Sequence, residues 1–384
     1  MFGRLAGALV AVVVAAGPAR AGVEVGTLSP RAIGHAGANL ASDDGAAAAF
    51  LCPAAIARRD QRRAQLAAVA QDDEASLTTA THPRVDDVGG AAIGPLFGAQ
   101  GHLGPVVLAV SLATTEQFDH QLAAPATGLP TDEVAARYPH RYGGLTASWT
   151  RRTLAAAAAV RLTDSLAVGA AVTLGQVDVA ERRRLWAGFA GRDPLARPDR
   201  DIDVTVTAGD GLVPGGAVGL LYAPLDAQLE LAAGVAWSDD ARVDGEVAAV
   251  ATGPRPIVTA VAPTATARFG AGLTAAVGAR WLSERYAVET AASWTAYPTG
   301  ATGWTIRGVE VVDESGARAR LTALPSRLPR RAHGAVAAAV DVAAVPGFAW
   351  RRWATAGRHR PARGRPWRRS ARISAATPWP AASS

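Results

Sequence analysis

DIDVTVTA, residues 201–208, sets Ile202, Val204, Val206 and Ala208 against Asp201, Asp203, Thr205 and Thr207. A helix would bring its apolar residues round roughly every 3.6 positions, whereas a period of two marks an extended strand with unlike faces. The same period recurs on either side. QLELAAGVAW (228–237) aligns Leu229, Leu231, Ala233, Val235 and Trp237 opposite Gln228 and Glu230. LAVGAAVTLG (166–175) alternates Leu166, Val168, Ala170, Val172 and Leu174 with Ala167, Gly169, Ala171, Thr173 and Gly175. Between Tyr286 and Tyr297, Tyr286, Val288, Ala292 and Trp294 oppose Glu289, Ser293 and Thr295.

Turn-forming clusters at 163–165, 223–226 and 237–240 separate these runs. Strand candidates fall at 65–70, 89–97, 103–117, 143–162, 166–182, 201–208, 213–222, 228–237, 242–251, 264–282, 284–297, 303–313 and 333–343. Several exceed the roughly 5–6 residues of a globular strand and reach the roughly 9–11 that cross a bilayer when tilted. The stretches 119–140 and 182–200 are polar or proline-rich and read as loops on one rim. Short turns alternating with long loops are the plan of a transmembrane β-barrel. A secreted β-sandwich also alternates, but long strands, a face of small residues and aromatics near strand ends favour the barrel. A barrel also removes the open edges that a sheet of a dozen strands would expose.

The chain has 384 residues. It begins with Arg4, an apolar run from Leu5 to Ala16 and the small-x-small site Ala19-Arg20-Ala21, which predict a signal peptide over 1–21 cleaved before Gly22. Cys52 is the one cysteine, so an intramolecular disulfide is excluded. All 39 basic residues are arginine. Nine of them (Arg351, Arg352, Arg358, Arg360, Arg363, Arg365, Arg368, Arg369 and Arg372) lie in the last 34 residues, which contain no acid. Residues 1–350 therefore carry 30 arginines against 33 acids. The body gives no reason to expect a nucleic-acid partner. The basic segment 351–384 loses the alternation abruptly; a reading-frame change near 350 is the favoured explanation, with a disordered basic tail or a binding arm as alternatives.

No G-x-S-x-G, H-E-x-x-H or C-x-x-C pattern is present, and His35, His82, His102, His120, His140, His333 and His359 lack ligand spacing. No catalytic residue, metal site or cofactor is expected. Asp43-Asp44-Gly45 lacks the spaced oxygen ligands of a calcium loop. It reads as a turn or helix start, with Ser42 or Asp43 capping a short alanine-rich helix and Pro53 bounding it.

The passage RAIGHAGANLASDDGAAAAFLCPAAIA (31–57) resembles the pattern GxGxAGAxxASxDDxxxxxxNPAxxA of the FadL/TodX family of outer-membrane transporters for long-chain fatty acids and other hydrophobic compounds. A second likeness is DIDVTVTAGDGLVPGGAVGLLYAPLDAQLELAAGVAWSDDARVDGEVAAV (201–250), which looks like the family's mid-barrel hairpins. The resemblance covers roughly 22–350. It implies an all-β fold, an antiparallel barrel of about 14 strands with a small N-terminal helical hatch inside it. The expected division is hatch 22–60, barrel 61–350 and tail 351–384. Phe50, Leu51, Cys52, Pro53 and Ala54 are the expected hatch contacts with the wall, and Ser42, Asp43 and Asp44 its turn. Cys52 stands where the family has asparagine, and the chain lacks the aromatic-ended last strand usual in such barrels.

The function implied is passive transport of a fatty acid or other hydrophobic small molecule, with lateral release and no cofactor. Expected partners are outer-membrane lipid, lipopolysaccharide and the barrel-assembly machinery, with the protein a monomer in the outer membrane. The residues that bind ligand inside the barrel are not assignable from sequence. A general porin for polar solutes and an outer-membrane lipid hydrolase are the alternatives.

Overall fold

A computed structural model describes residues 29–43, 45–58, 62–71, 74–79, 82–86, 91–121, 146–186, 200–209, 212–224, 228–253, 256–297, 303–312, 316–324, 332–342, 350–358 and 367–370. The expected signal peptide, 1–21, and Asp44 lie outside them. One short helix, α1 (Pro30–Gly34), and two 3₁₀ helices, Ala46–Phe50 and Pro53–Arg58, precede the strands. β1 (Arg63–Gln71), β4 (Ala92–Leu103), β5 (Val106–Gln121), β6 (Thr146–Arg161) and β7 (Leu166–Trp186) pair in that order, each antiparallel to the next. β2 (Glu74–Thr79) and β3 (His82–Asp86) form a hairpin that β20 (Trp367–Ser370) joins.

Beyond β7 the staves are divided. β7 pairs with β9 (Val213–Tyr222) over Leu166–Gly175 and with β8 (Asp201–Gly209) over Asp178–Trp186. β8 and β9 thus lie end to end along β7 as one divided stave. β10 (Leu229–Ser238) and β11 (Ala241–Ala251) make the next stave, followed by β12 (Ile257–Phe269) with β13 (Gly272–Leu282). β14 (Tyr286–Ala296) and β15 (Trp304–Val312) pair alongside these. β16 (Arg318–Arg320) and β17 (Ala323–Leu324) lie on β15, and β18 (His333–Val342) on β14. β19 (Trp350–Arg358) pairs with β18, so pairing continues into residues that the sequence assigned to the tail.

The interruptions fall at one height, and local donors find substitutes there. Asp239 N–H donates to the Pro214 carbonyl at 2.8 Å, Ala271 N–H to Asp240 Oδ1 at 2.6 Å and Gly272 N–H to Ser238 Oγ at 3.2 Å. Pro214 has no N–H to give a ladder, and an aspartate or serine oxygen competes well for a neighbouring amide. The uninterrupted strand expected over 264–282 is therefore two strands jointed at 270–271.

Apolar side chains change face at this joint. Below it, in the half that carries the short turns, β7 exposes Val172 and Leu174 outward and buries Ala167 and Ala171 inward. Above it the same strand buries Val177 and Val179 inward, and its Arg182 faces out. The backbone need not twist for this, because successive side chains already point to opposite faces. Leu66, Ile93, Phe97, Leu108, Val218 and Val277 extend the lower half's exposed apolar belt. Trp237 and Trp294 edge it above, and Tyr222 and Tyr286 below. From Leu229 to Trp237 the belt runs about 26 Å along the strand, at roughly 3.3 Å per residue, which suits the apolar band of a transmembrane barrel.

Along β7 and β8 the outer face of the upper half is polar. Asp203 accepts from Arg184 Nε at 2.7 Å and from an Arg182 guanidinium nitrogen at 2.7 Å. Partial burial pushes the Asp203 carboxyl up, but the hydrogen bonds and charges of Arg184 and Arg182 outweigh it and hold it below its ordinary value. Ile202, Val204, Val206 and Ala208 point inward, so the alternation in 201–208 buries its apolar face in the lumen of the upper half, not against lipid.

Candidate functional site: the hatch, its cavity and the seals around it

Residues Ser29–Arg58 sit inside the lower half as a hatch. α1 is begun by Ser29, whose Oγ accepts from Ala32 N–H at 3.1 Å, and by Pro30, whose ring presets the helical φ. It ends at Ala36 and Gly37, with φ of 51° and 88°. The Ala46–Phe50 helix has Gly45 at its N-cap and no side-chain cap. The expected capping role of Ser42 and Asp43 is thus corrected. Asp43 instead closes a turn, accepting from Gly45 N–H at 3.2 Å and Asn39 Nδ2 at 3.1 Å. Pro53 does not bound that helix; it opens the second one. The proline again occupies the first turn, where no N–H is needed.

Alanine dominates the hatch because the wall leaves little room. The inner wall carries a cross-strand row of glycines, Gly169–Gly219–Gly234, on β7, β9 and β10. A Cβ at Gly169 would lie 2.5 Å from Ala54 N, and one at Gly219 would lie 3.0 Å from Cys52 Cα. A Cβ at Gly234 would strike the Leu51 carbonyl oxygen. Backbone therefore rests on backbone along Leu51–Ala54. Further round, Ser111 on β5 donates to the Ala46 carbonyl, and Arg161 Nε on β6 donates to that of Ala57 at 2.9 Å. Cys52 is buried, its Sγ 3.5 Å from the Ala233 carbonyl oxygen and 3.6 Å from that of Leu220. Burial pushes its thiol up to about 11.

Between hatch and wall lies a cavity of about 350 Å³, lined by Leu40, Ala48, Phe50, Leu51, Ala276 and Tyr297 among others. Of the expected hatch residues, Asp43, Phe50, Leu51 and Cys52 line it, while Pro53 and Ala54 contact the glycine row. The cavity's polar lining includes Glu116 and Arg151. Glu116 accepts from an Arg151 guanidinium nitrogen at 2.9 Å through one oxygen, and from Trp149 Nε1 at 2.9 Å through the other. A buried charge is tolerable when paired and hydrogen-bonded in this way.

Above the cavity an aromatic bridge crosses the lumen. Trp149 on β6 meets Phe269 on β12 edge-on at 5.0 Å between ring centroids, and Phe269 meets Trp304 on β15 at 5.9 Å. β7, β8 and β11 separate β6 from β12 in the wall, so the first contact spans the interior. Val177, Val179, Val204, Val206 and Ile306 pack around it. Sequence reasoning named none of the three aromatics, because each is an isolated ring on a different strand, and only the pairing of β12 with β15 and the curling of the sheet bring them together.

On the outer wall a groove of about 650 Å³ is lined by Val168, Val218, Leu220, Val235, Val277 and Trp294, among others. Ala276, Ala292 and Ser293 line both this groove and the inner cavity, so a single ladder of β13 with β14, bearing small side chains, separates the two spaces.

The sequence matches no protein-family model and no curated protein. Solved structures do match in fold. A Pseudomonas aeruginosa FadL homologue superposes with a TM-score of 0.63 at 15% identity, over 87% of this chain and 80% of that one. The P. putida toluene transporter TodX gives 0.61 at 13% identity, over 88% and 84%. The Ralstonia pickettii toluene transporter TbuX gives 0.55 at 14%, over 83% and 87%. With the hatch seated among glycines and an apolar belt around it, the fold of this chain is the FadL/TodX-type transmembrane β-barrel.

Proposed function

We propose that this protein is a passive outer-membrane channel for hydrophobic small molecules, long-chain fatty acids among them. The observation that carries this reading is the cavity between an alanine-rich hatch and the wall of a barrel whose exterior bears an apolar belt. Such a space favours a ligand that gains by leaving water, at about 0.8 kcal/mol for each buried CH₂. The solved structures of like fold include toluene transporters, which supports the same class of cargo.

In this reading cargo enters past Trp149, Phe269 and Trp304, rests against Leu40, Phe50 and Leu51, and leaves sideways. The exit is the wall at Ala276, Ala292 and Ser293, where the β13–β14 ladder has to part for cargo to reach the groove under Trp294. Lateral exit keeps a hydrophobic molecule out of water throughout. The chemistry is movement only, and it requires neither a nucleophile nor a cofactor.

The test is uptake of labelled oleate and labelled toluene by cells lacking their own carriers. The protein is expected to raise the initial rate of at least one compound, on the order of several-fold above empty vector, as expected where diffusion through the envelope limits entry. No gain for either compound, with folded protein present in the outer membrane, overturns the reading.

A further inference from the structure

The lower rim of the barrel carries a row of charges that the transport path does not use. Glu230 on β10, Arg280 on β13 and Glu289 on β14 face one another directly across the strands. Arg280 lies between the two carboxylates, 3.3 Å from Glu230 and 3.9 Å from Glu289. Asp341 on β18 adds a third acid, so the wall presents an acidic excess to the hatch at this point. Glu230 is 6% exposed and Glu289 is 2% exposed.

The hatch answers this row with donors from three separate places. Ala41 N–H and Ser42 N–H both donate to Glu289 Oε1, at 2.9 and 3.0 Å. His35, 1% exposed, lies 3.0 Å from Asp341 through Nε2 and 3.6 Å from Glu289 through Nδ1. Arg58 pairs with Glu230 and also donates to the Ala41 carbonyl, tying the end of the hatch to its middle. Among the described residues, Glu289 alone reaches both the Ala41–Ser42 turn and His35. A buried carboxylate holding two backbone amides makes directional bonds that an apolar contact does not. The glycine row, by contrast, lets the hatch approach but does not pull on it.

We propose that Glu289 is the positioning residue that latches the hatch to the barrel wall, with Glu230 as the second point of the latch. Removing Glu289 frees the Ala41–Ser42 turn and takes away the carboxylate beside His35 Nδ1, while the strand ladder of β14 with β13 and β18 remains. The hatch then opens more often and the barrel stays folded. The inference rests on Ser29–Arg58 being a movable plug, as the proposed function requires.

Cys52 supplies the reporter. It is the one cysteine in the sequence and is buried in the hatch–wall contact. A water-soluble maleimide added to outer-membrane vesicles is expected to label it slowly in the unmodified protein. Glu289→Ala should accelerate labelling by ~10-fold or more through a raised population of the open state. Glu289→Gln, which keeps an acceptor oxygen but loses the charge, should fall between the two. Arg152→Ala, on the outer face of β6, should leave the rate unchanged. Barrel integrity is read separately, from the resistance of each variant to unfolding by detergent and heat on a gel.

An unchanged labelling rate for folded Glu289→Ala overturns the latch. Should that variant fail to assemble, Glu289→Gln carries the same test with the same two outcomes. Labelling needs no cargo, so its result stands apart from the uptake assay. Faster labelling without uptake by the unmodified protein would support the latch while overturning the proposed cargo.

Discussion

Glycine 169 shows how one residue's role depends on what faces it. In a strand, glycine normally weakens the structure, since it has no side chain to pack and more freedom to lose. Here its missing Cβ is the space that Ala54 and Pro53 occupy. Gly169→Val should therefore displace the hatch or strain the wall, costing about 1–3 kcal/mol as other overpacked sites do. Gly101→Val is the matched control, because the nearest atom to a Cβ there is Arg62 Cγ at 3.8 Å. It should stay within about 0.5 kcal/mol. Thermal unfolding in detergent compares the two, and equal losses would dismiss the close-contact explanation. The hatch segment is conspicuous in the sequence as a run of small residues behind an expected signal peptide. Its glycine partners are not, because they lie on three strands whose register is set only by folding. Cys52, where the resemblance implies asparagine, is seated among strand carbonyls that the sequence could not place.

At the scale of the element, the informative event is the change of apolar face within a single stave. Period-two alternation was plain in both 166–175 and 201–208, and it correctly marked both as strands. Alternation cannot say which face meets lipid and which meets the lumen. That depends on whether the segment lies beside the hatch or above it, which is a matter of register against neighbouring strands. The joints that separate the two halves were legible only in part. Ser238-Asp239-Asp240 reads as a turn, but 270–271 looked like the middle of one strand. Val172 and Thr207 test the assignment, since both face outward from opposite sides of the joint. Val172→Arg puts a charge on the apolar belt towards its upper edge and should cost roughly 1–2 kcal/mol, between the midplane and interface values. Thr207→Arg adds the same charge to a polar surface and should change stability by about 0.5 kcal/mol or less. Unfolding in lipid vesicles measures both. Equal costs at the two sites would mean that the belt does not end at the joint.

Across the whole molecule, the hatch and the aromatic bridge obstruct the lumen in series. The hatch is held by a charged latch at the lower rim and seated against a glycine row at the level of the belt. The bridge is held by apolar packing of Trp149 on β6 against Phe269 and Trp304 on the paired strands β12 and β15, which β6 does not join. Loosening one seal leaves the other in place, since they share neither their residues nor the kind of interaction that closes them. This separates the proposed channel from a general porin. A porin keeps a water-filled path lined by polar residues, whereas the upper lumen here is filled by Trp149, Phe269, Trp304 and the valines around them. Liposomes containing the purified protein should therefore not swell in arabinose above the rate of empty liposomes. The same should hold for Glu289→Ala, even if its hatch has become mobile, because polar solute still meets the apolar bridge. Replacing the bridge rings together, as Trp149→Ala with Phe269→Ala, in the Glu289→Ala background removes both obstructions and should produce swelling. Rapid swelling by the unmodified protein would favour a porin. Swelling by Glu289→Ala alone would show that the hatch is the sole barrier and that the upper cluster parts too readily to act as a seal.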